Sequence, residues 1–389
     1  MVAFLSVRRK VVSGLVAVLA SGVLAACDVS LGNGPLINTQ RSVPVALLVP
    51  ASSSTSAELA LSLENAARMA VGDLQGAAID LRVYDTEGTP EGATIAASDA
   101  LSEGARIIVG PLFGEAARAA GQVAAPRGVN VLSFSNNPGV AGGNVFVMGN
   151  TFQTAADRLV RYSVSQGKNR FFIVHEETAA DELARVSIER ALAANGGVLA
   201  GAMSYPKSQT GVIEAVPNIA REFRASGATV LIATANASDR GTLPFLSELL
   251  PENGIDPEVA QFVGIQRLDV PASALSLKGL QGAWFAAPDP DLSARFDARY
   301  QAAFGRTPSP VTGLAYDAVA AVGALIAQGN SNALSRESLI QGQGFAGVYG
   351  PFRFFQNGTN ERGLAVAQIQ NNQVTVIDTA PRSFAGPGF

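Results

Sequence analysis

The chain has 389 residues, of which 48% are apolar and 15% are charged, and its formal net charge is −4 at pH 7. This is long enough for two domains of ordinary size with large hydrophobic cores. The only basic run is Arg8-Arg9-Lys10, and no basic residues are interleaved with aromatic ones, so the composition argues against nucleic-acid binding.

The first 26 residues predict an export signal. The basic run lies ahead of an apolar stretch, VVSGLVAVLASGVLAA, at residues 11–26. This stretch is too short, and too rich in small residues, for a typical membrane span. We therefore expect residues 1–26 to be removed from the mature protein.

The only cysteine, Cys27, directly follows this stretch in the sequence LAAC. This arrangement resembles the lipobox of bacterial lipoproteins, in which the cysteine is acylated and anchors the protein to a membrane. The alternative is an ordinary cysteine behind a plain signal peptide. Asp28 resembles the signal that retains lipoproteins at the inner membrane of enteric bacteria. Residues 27–43 lack periodicity and predict a flexible tether.

Strand-like and helix-like segments alternate from residue 44 onward. Predicted strands lie at 44–50, 78–86, 106–110, 129–135, 144–149, 170–175, 197–206, 229–235, 260–265 and 282–288. Predicted helices, with apolar residues at helical spacing, lie at 57–74, 91–104, 115–128, 154–167, 182–196, 211–227, 245–254, 292–305 and 311–329. This alternation predicts an α/β protein with parallel βαβ units.

The end of the chain has a different pattern. Residues 349–378 predict β-structure with an Asn-Gly turn at 357–358 and an Asn-Asn turn at 371–372. Residues 379–389 predict a loose tail.

Ligands of open parallel sheets bind at the carboxyl ends of the strands. The loops that we expect to line a cleft are those that follow Val49, Val109, Phe134, Val174 and Ala233.

The sequence contains no catalytic constellation. His175 is the only histidine, which argues against histidine-rich zinc sites and most triads. Residues 342–347 fit the G-x-G-x-x-G pattern but do not lie between a first strand and a helix, so they predict no dinucleotide site. We therefore expect no enzyme activity, no cofactor and no metal.

One segment, residues 79–139, resembles the type I periplasmic binding proteins of the Leu/Ile/Val-binding class. The matching features are the acidic strand end Tyr84-Asp85, the turn Val109-Gly110-Pro111 and the strand at 128–133. Two further landmarks match at 313–322 and 345–358. The resemblance extends over residues 44–378.

This resemblance implies an α/β fold of two lobes, each a parallel sheet flanked by helices, joined by three crossings with the ligand between them. The first lobe is expected at 44–147 plus 286–340. The second lobe is expected at 148–285 plus 341–378. Tyr316-Asp317 is expected to pack the lobe and to make hydrogen bonds on the hinge side.

A zwitterionic amino acid needs partners for both of its charges when it leaves water. The predicted ligand-binding residues are Ser52, Ser53, Leu112, Phe113, Gly114, Ser135, Asn136, Asn137 and Glu176.

Each of these residues has an alternative interpretation. The two serines could cap the helix at 57–74, and the asparagines could cap a turn. Glu176 could lie in a solvated turn, and Phe113 could plug the cleft. Gly114 also lacks the hydroxyl that the family often has in this loop.

The sequence leaves two functions open. The first is a periplasmic lipoprotein that binds a small polar solute, an amino acid or a related compound, for an ABC permease. The second is a regulator similar to the penicillin-binding protein activators, which act on a peptidoglycan synthase. The loop Gly110-Pro111-Leu112-Phe113 resembles that subgroup.

Overall fold

The computed structural model of the protein describes residues 34–238 and 241–384. The predicted signal peptide, Cys27, Asp28 and the first part of the predicted tether lie outside the described residues. Within the tether range, Ile37 is buried and donates its backbone N–H to the carbonyl oxygen of Ser331 at 2.8 Å. The end of this range is therefore packed against the folded body.

The first sheet has five parallel strands in the order β2-β1-β3-β4-β5. Its strands are β1 (Val43–Val49), β2 (Ile79–Asp85), β3 (Ile107–Val109), β4 (Val131–Ser133) and β5 (Val145–Val147). The helices that connect the first four strands are α1 (Ala57–Asp73), α2 (Pro90–Ser102) and α3 (Gly114–Ala124). The apolar run VPVALLV makes β1 a central strand because a parallel sheet is covered on both faces.

The second sheet has seven strands in the order β14-β13-β10-β9-β8-β6-β7. They are β6 (Arg170–Glu176), β7 (Val198–Tyr205), β8 (Val230–Ala233), β9 (Gln261–Gly264), β10 (Trp284–Ala287), β13 (Ala365–Gln370) and β14 (Gln373–Asp378). The helices in this part of the chain are α4 (Phe152–Ser165), α5 (Ala179–Asn195), α6 (Gln209–Ser226) and α7 (Leu243–Glu252). The predicted two-lobed α/β fold is confirmed.

The second sheet is mixed, whereas the sequence predicts a parallel sheet in each lobe. β13 runs antiparallel to β10, and β14 runs antiparallel to β13. The predicted Asn-Asn turn, in which Asn371 and Asn372 have φ values of 51° and 61°, reverses the chain between β13 and β14. Two consecutive positive φ values fold a strand back as a tight hairpin.

The remaining elements return to the first sheet. They are α8 (Pro290–Phe304), α9 (Gly313–Ala327), the short α10 (Arg336–Leu339) and a hairpin of β11 (Phe352–Phe354) and β12 (Asn360–Arg362). The chain thus passes between the two sheets after β5, after β10 and after β12, which agrees with the three predicted crossings.

Buried aromatic residues pack the hairpin of β11 and β12 against the first sheet. Phe345, Tyr349, Phe352 and Phe354 are buried in the same hydrophobic core as residues of β1 and α1. These residues fall in the range 341–378 that the sequence assigns to the second lobe, but burial of their rings holds them beside the first sheet. The other predicted domain boundaries stay predictions.

The predicted loose tail is packed in its described part. The carbonyl oxygen of Thr379 accepts a hydrogen bond from Arg158, and the guanidinium of Arg353 lies 4.5 Å from the ring centroid of Phe384. Residues 379–384 are therefore held by the folded body.

None of the helices in the two described ranges is long and apolar enough to cross a membrane. The same ranges contain no group of three or more His, Cys, Asp or Glu side chains that could hold a metal ion.

Candidate functional site

A cleft of about 820 Å³ lies between the two sheets. One wall comes from the loops that follow β3, β4 and β5, and the other from the loops that follow β8, β9 and β10. Both walls therefore form at the carboxyl ends of parallel strands, where open α/β sheets bind their ligands.

The turn Gly110-Pro111 positions the loop after β3. Gly110 has a φ of 87°, and a Cβ atom there would lie 2.2 Å from the carbonyl oxygen of Leu48, so only glycine fits. The carbonyl oxygen of Pro111 accepts hydrogen bonds from the hydroxyl of Ser133 at 2.9 Å and from the N–H of Phe134 at 3.0 Å. These bonds tie the loop after β3 to the end of β4.

Three predicted residues meet at the start of α3. A Cβ atom built on Gly114 would lie 3.4 Å from both Nδ2 of Asn137 and Oγ of Ser135. Phe113, the residue that precedes the helix, makes no side-chain cap. The first N–H groups of α3 and these side chains therefore offer hydrogen-bond donors to a polar or anionic group at this wall.

The other predicted residues of this wall also line the cleft: Leu112, Phe113 and Asn136. The ring of Phe113 is 39% exposed. It does not plug the cleft, because the remaining volume is large enough for a small molecule.

Ser52 and Ser53 do not line the cleft. The backbone N–H of Ser52 donates to the carboxylate of Asp85, at 3.1 Å from Oδ2. Burial acts to raise the pKa of Asp85, but hydrogen bonds from Ser52 and the N–H of Glu87 hold it below its usual value. The carbonyl oxygen of Ser53 accepts the N–H of Ala57, in the first turn of α1. These serines organise a loop and the start of a helix.

Glu176 does not line the cleft either. The prediction that it contacts a ligand is wrong, because its side chain is buried inside the lobe. It is the last residue of β6, and its side chain is fully buried. Oε2 lies 2.5 Å from Nζ of Lys207, and Oε1 accepts a hydrogen bond from the hydroxyl of Thr242 at 2.5 Å. Because the strand continues to this residue, the carboxylate points into the lobe.

The second wall carries polar residues that the sequence interpretation did not name: Asn236, Ser238, Gln266 and Arg267. The amide of Gln266 donates to the carbonyl oxygen of Thr234 at 2.7 Å, which links the loops after β8 and β9. Arg267 and Asp269 form a two-pronged ion pair at 2.6 and 2.5 Å. The rule that ligands bind at strand ends, applied also to the strand at 260–265, could have found the last two.

Charge is sparse in the cleft. Arg267 is the only charged side chain among the described residues that line it, and Asp269 neutralises it. The described lining is otherwise amide, hydroxyl, aromatic and aliphatic. It can hold a small solute through hydrogen bonds at its polar end and through packing at its apolar end.

Tyr316 and Asp317 lie on α9 and are absent from the cleft lining. The hydroxyl of Tyr316 donates to Oδ2 of Asp73 at 2.7 Å, and Asp317 pairs with Arg362 just before the last crossing. Both residues therefore make structural hydrogen bonds, as predicted, and their role at a hinge stays a prediction.

Comparison with known families agrees with this geometry. The sequence matches the model of the periplasmic binding protein family over residues 42–373. The chain belongs to the periplasmic binding protein family. A search of the curated proteins finds no significant match.

Solved structures share the fold across the whole body of this family member. A branched-chain amino acid ABC transporter periplasmic ligand-binding protein from Burkholderia xenovorans has 16% identity and a TM-score of 0.69, with 87% of this chain and 94% of that chain covered. An ABC transporter substrate-binding protein from Desulfitobacterium hafniense, in complex with Leu, has 16% identity and a TM-score of 0.63, with coverages of 87% and 100%.

A solute-binding protein of an ABC transporter from R. palustris, in complex with benzoate, has 17% identity and a TM-score of 0.59, with coverages of 90% and 99%. At these identities the similarity shows the fold. The three solved proteins are described as ligand-binding, solute-binding or substrate-binding proteins of ABC transporters.

Proposed function

We propose that the protein is a lipid-anchored periplasmic receptor that captures a small polar solute, an amino acid or a related compound, for import by an ABC transporter. The observation that carries this proposal is the cleft of about 820 Å³ whose two walls face each other from separate sheets. Hinge closure of two lobes around a ligand is a recognised binding mode.

The walls of the cleft support a solute with one polar end. Ser135, Asn137 and the start of α3 supply donors at the first wall, and Asn236 and Gln266 supply amides at the second. Phe113 and its apolar neighbours supply packing surface. Related structures hold leucine or benzoate, which both combine a carboxylate with an apolar part.

The membrane anchor is proposed from Cys27 and its LAAC sequence, and the inner membrane from Asp28. Several acyl chains together hold a soluble domain at a bilayer. Mass spectrometry of the mature protein tests this point. A diacylated amino-terminal cysteine supports the anchor, and a mature protein without an acyl group contradicts it.

The alternative function, regulation of a peptidoglycan synthase, receives no support from the comparisons. It remains one outcome of the binding test. The test is a thermal-shift panel of the full chain against leucine, isoleucine, benzoate, other amino acids and peptidoglycan fragments. A ligand at 100 times its Kd stabilises the fold by about 2.7 kcal/mol, which a melting curve detects.

A shift with amino acids or aromatic acids supports the receptor, and loss of that shift in Asn137→Ala locates it in the cleft. A shift with peptidoglycan fragments alone, or no shift with any compound, contradicts the proposal. A pull-down for a peptidoglycan synthase is then the next experiment.

A further inference from the structure

A second cavity, of about 370 Å³, lies along α4. Its other walls come from α5, from the hairpin of β11 and β12, and from the loop at 138–141 that follows β4. It shares only Thr151 and Leu364 with the lining of the cleft, so it is a separate cavity. The solute-binding function proposed above does not use it.

A buried arginine lies in the wall of this cavity. Arg158 is 8% exposed, its Nε donates to the carbonyl oxygen of Leu364 at 2.7 Å, and its Nη2 lies 2.7 Å from Oδ2 of Asp378. Its third nitrogen, Nη1, has no hydrogen-bond partner among the described residues. That nitrogen is held by a fixed guanidinium and is available to a ligand.

Two further arginines line the cavity. Arg161 lies one helical turn after Arg158 on α4, and its Nε donates to Oδ1 of Asn195 at 3.2 Å. Arg190 lies on α5, is exposed, and makes no ion pair or hydrogen bond with any residue in the described ranges. The two helices thus direct cationic side chains to the same cavity.

The lining contains fewer carboxylates than arginines, and each carboxylate has an ion-pair or hydrogen-bond partner. The described lining contains four arginines and two carboxylates, Asp157 and Glu361. Glu361 pairs with Arg353 at 2.6 Å. Asp157 accepts hydrogen bonds from Gln153 at 3.1 Å and Asn195 at 3.3 Å, and burial raises its pKa. Arg158 and Arg362 are paired with Asp378 and Asp317, which do not line the cavity, so the excess positive charge comes from Arg190, which has no carboxylate partner among the described residues.

We infer that this cavity binds an oxyanion, a carboxylate or phosphate group, between Nη1 of Arg158 and the guanidinium of Arg190. Guanidinium groups recognise such oxyanions with short, charge-assisted hydrogen bonds. The volume suits a small molecule that bears this group. Pro138 and Ala141 line the cavity from the first-sheet side and α4 lines it from the second, so the cavity is bounded by residues from both sides of the crossings.

The test is equilibrium dialysis of the full chain against radiolabelled inorganic phosphate and, separately, radiolabelled succinate, at constant ionic strength. We expect saturable binding of at least one of them with a Kd below about 1 mM. Binding of phosphate alone identifies a phosphate site, and binding of succinate alone identifies a carboxylate site. No saturable binding of either overturns the inference.

Variants locate the site. Arg190→Gln is expected to weaken binding roughly tenfold, because it removes a charge-assisted donor. Arg221→Gln, on the exposed surface of α6, is the matched control, and its side chain is 66% exposed. Equal affinities of the two variants would overturn the inference. So would a loss of binding in the cleft variant Asn137→Ala with no loss in Arg190→Gln, since the anion would then occupy the cleft.

Discussion

Nη1 of Arg362 lies 2.6 Å from Oδ2 of Asp317, and both side chains are almost fully buried. Oδ1 of Asp317 accepts the N–H of Val348 at 2.7 Å, and the guanidinium of Arg362 lies 4.7 Å from the ring centroid of Phe352. This pair joins α9 to the end of β12, directly before the last crossing. The ion pair connects these two elements in a place that is shielded from water.

Asp317→Ala is expected to destabilise the protein by about 3–5 kcal/mol, because it leaves Arg362 buried without a counter-charge. Urea unfolding measures this cost. The double variant Asp317→Leu with Arg362→Met is expected to recover most of it, since an apolar pair of similar volume needs no desolvation of charge. A cost below about 1 kcal/mol in the single variant would show that the pair contributes little.

Glu176 and Lys207 are expected to respond unequally to substitution. Glu176 is fully buried, whereas the side chain of Lys207 is 34% exposed and can return to water. Lys207→Met should therefore cost about 3 kcal/mol, because it leaves a buried carboxylate unpaired. Glu176→Gln should cost about 1 kcal/mol, because the amide oxygen still accepts the hydroxyl of Thr242. Chemical denaturation ranks the two variants, and the opposite ranking contradicts this account.

Gly110→Ala is expected to cost more than about 2 kcal/mol, because a positive φ and a clash with the carbonyl oxygen of Leu48 act together. Gly329→Ala is the matched control. Gly329 has a φ of 80°, but nothing lies within 4 Å of its added Cβ atom. This variant should lose about 1 kcal/mol from the backbone conformation alone. Similar melting temperatures for the two variants would show that the contact between the added Cβ atom and the carbonyl oxygen of Leu48 does not affect stability.

The stability contributed by Asp73 is expected to depend on pH. Burial acts to raise the pKa of Asp73, but hydrogen bonds from Tyr316 and Arg299 hold it below its usual value. A pKa that is lower in the folded than in the unfolded state stabilises the protein above the unfolded value of about 3.9. This stabilisation is lost as the pH falls through the folded value.

The site is partly exposed, so the contribution is at most about 1 kcal/mol. Unfolding of the parent and of Asp73→Asn between pH 7 and pH 3 measures it. The difference in unfolding free energy between the two proteins should shrink toward the acid end. A difference that grows on acidification has the wrong sign for this mechanism.

Asn136→Ala and Asn137→Ala are each expected to weaken solute binding by about 1–3 kcal/mol, the usual penalty for losing a partner of a buried polar group. Isothermal calorimetry with the solute that gives the largest thermal shift measures this. Asn330→Ala, in the exposed segment that follows α9, serves as the control. Unchanged affinity in both cleft variants would remove these residues from the site.

Much of the fold could be predicted from the sequence, because the strands are short apolar runs and the helices carry apolar residues at helical spacing. The antiparallel direction of β13 was not predicted, since strand pairing depends on partners far along the chain. The same holds for Phe352 and Phe354, whose packing against the first sheet depends on a core built mainly by residues earlier in the chain.

The sequence predicts the location of the first wall of the candidate site, because the turn at Gly110-Pro111 marks the end of a parallel strand. The sequence predicts Glu176 in the cleft because it does not show that β6 extends to this residue. A shift of one residue reverses the side to which a strand residue points. The second cavity was missed because Arg158 meets its partners at Leu364 and Asp378, about two hundred residues away in sequence.

The three crossings also limit how the ligand specificity of this periplasmic binding protein can change. Along the chain, α8, α9 and the hairpin of β11 and β12 lie between strands β10 and β13 of the second sheet. These elements pack against the first sheet. No single cut of the gene separates one lobe from the other, and exchange of a whole lobe with a relative needs several joined segments. Point substitutions in the loops at the strand ends are therefore the accessible route to a new specificity, for evolution and for engineering alike.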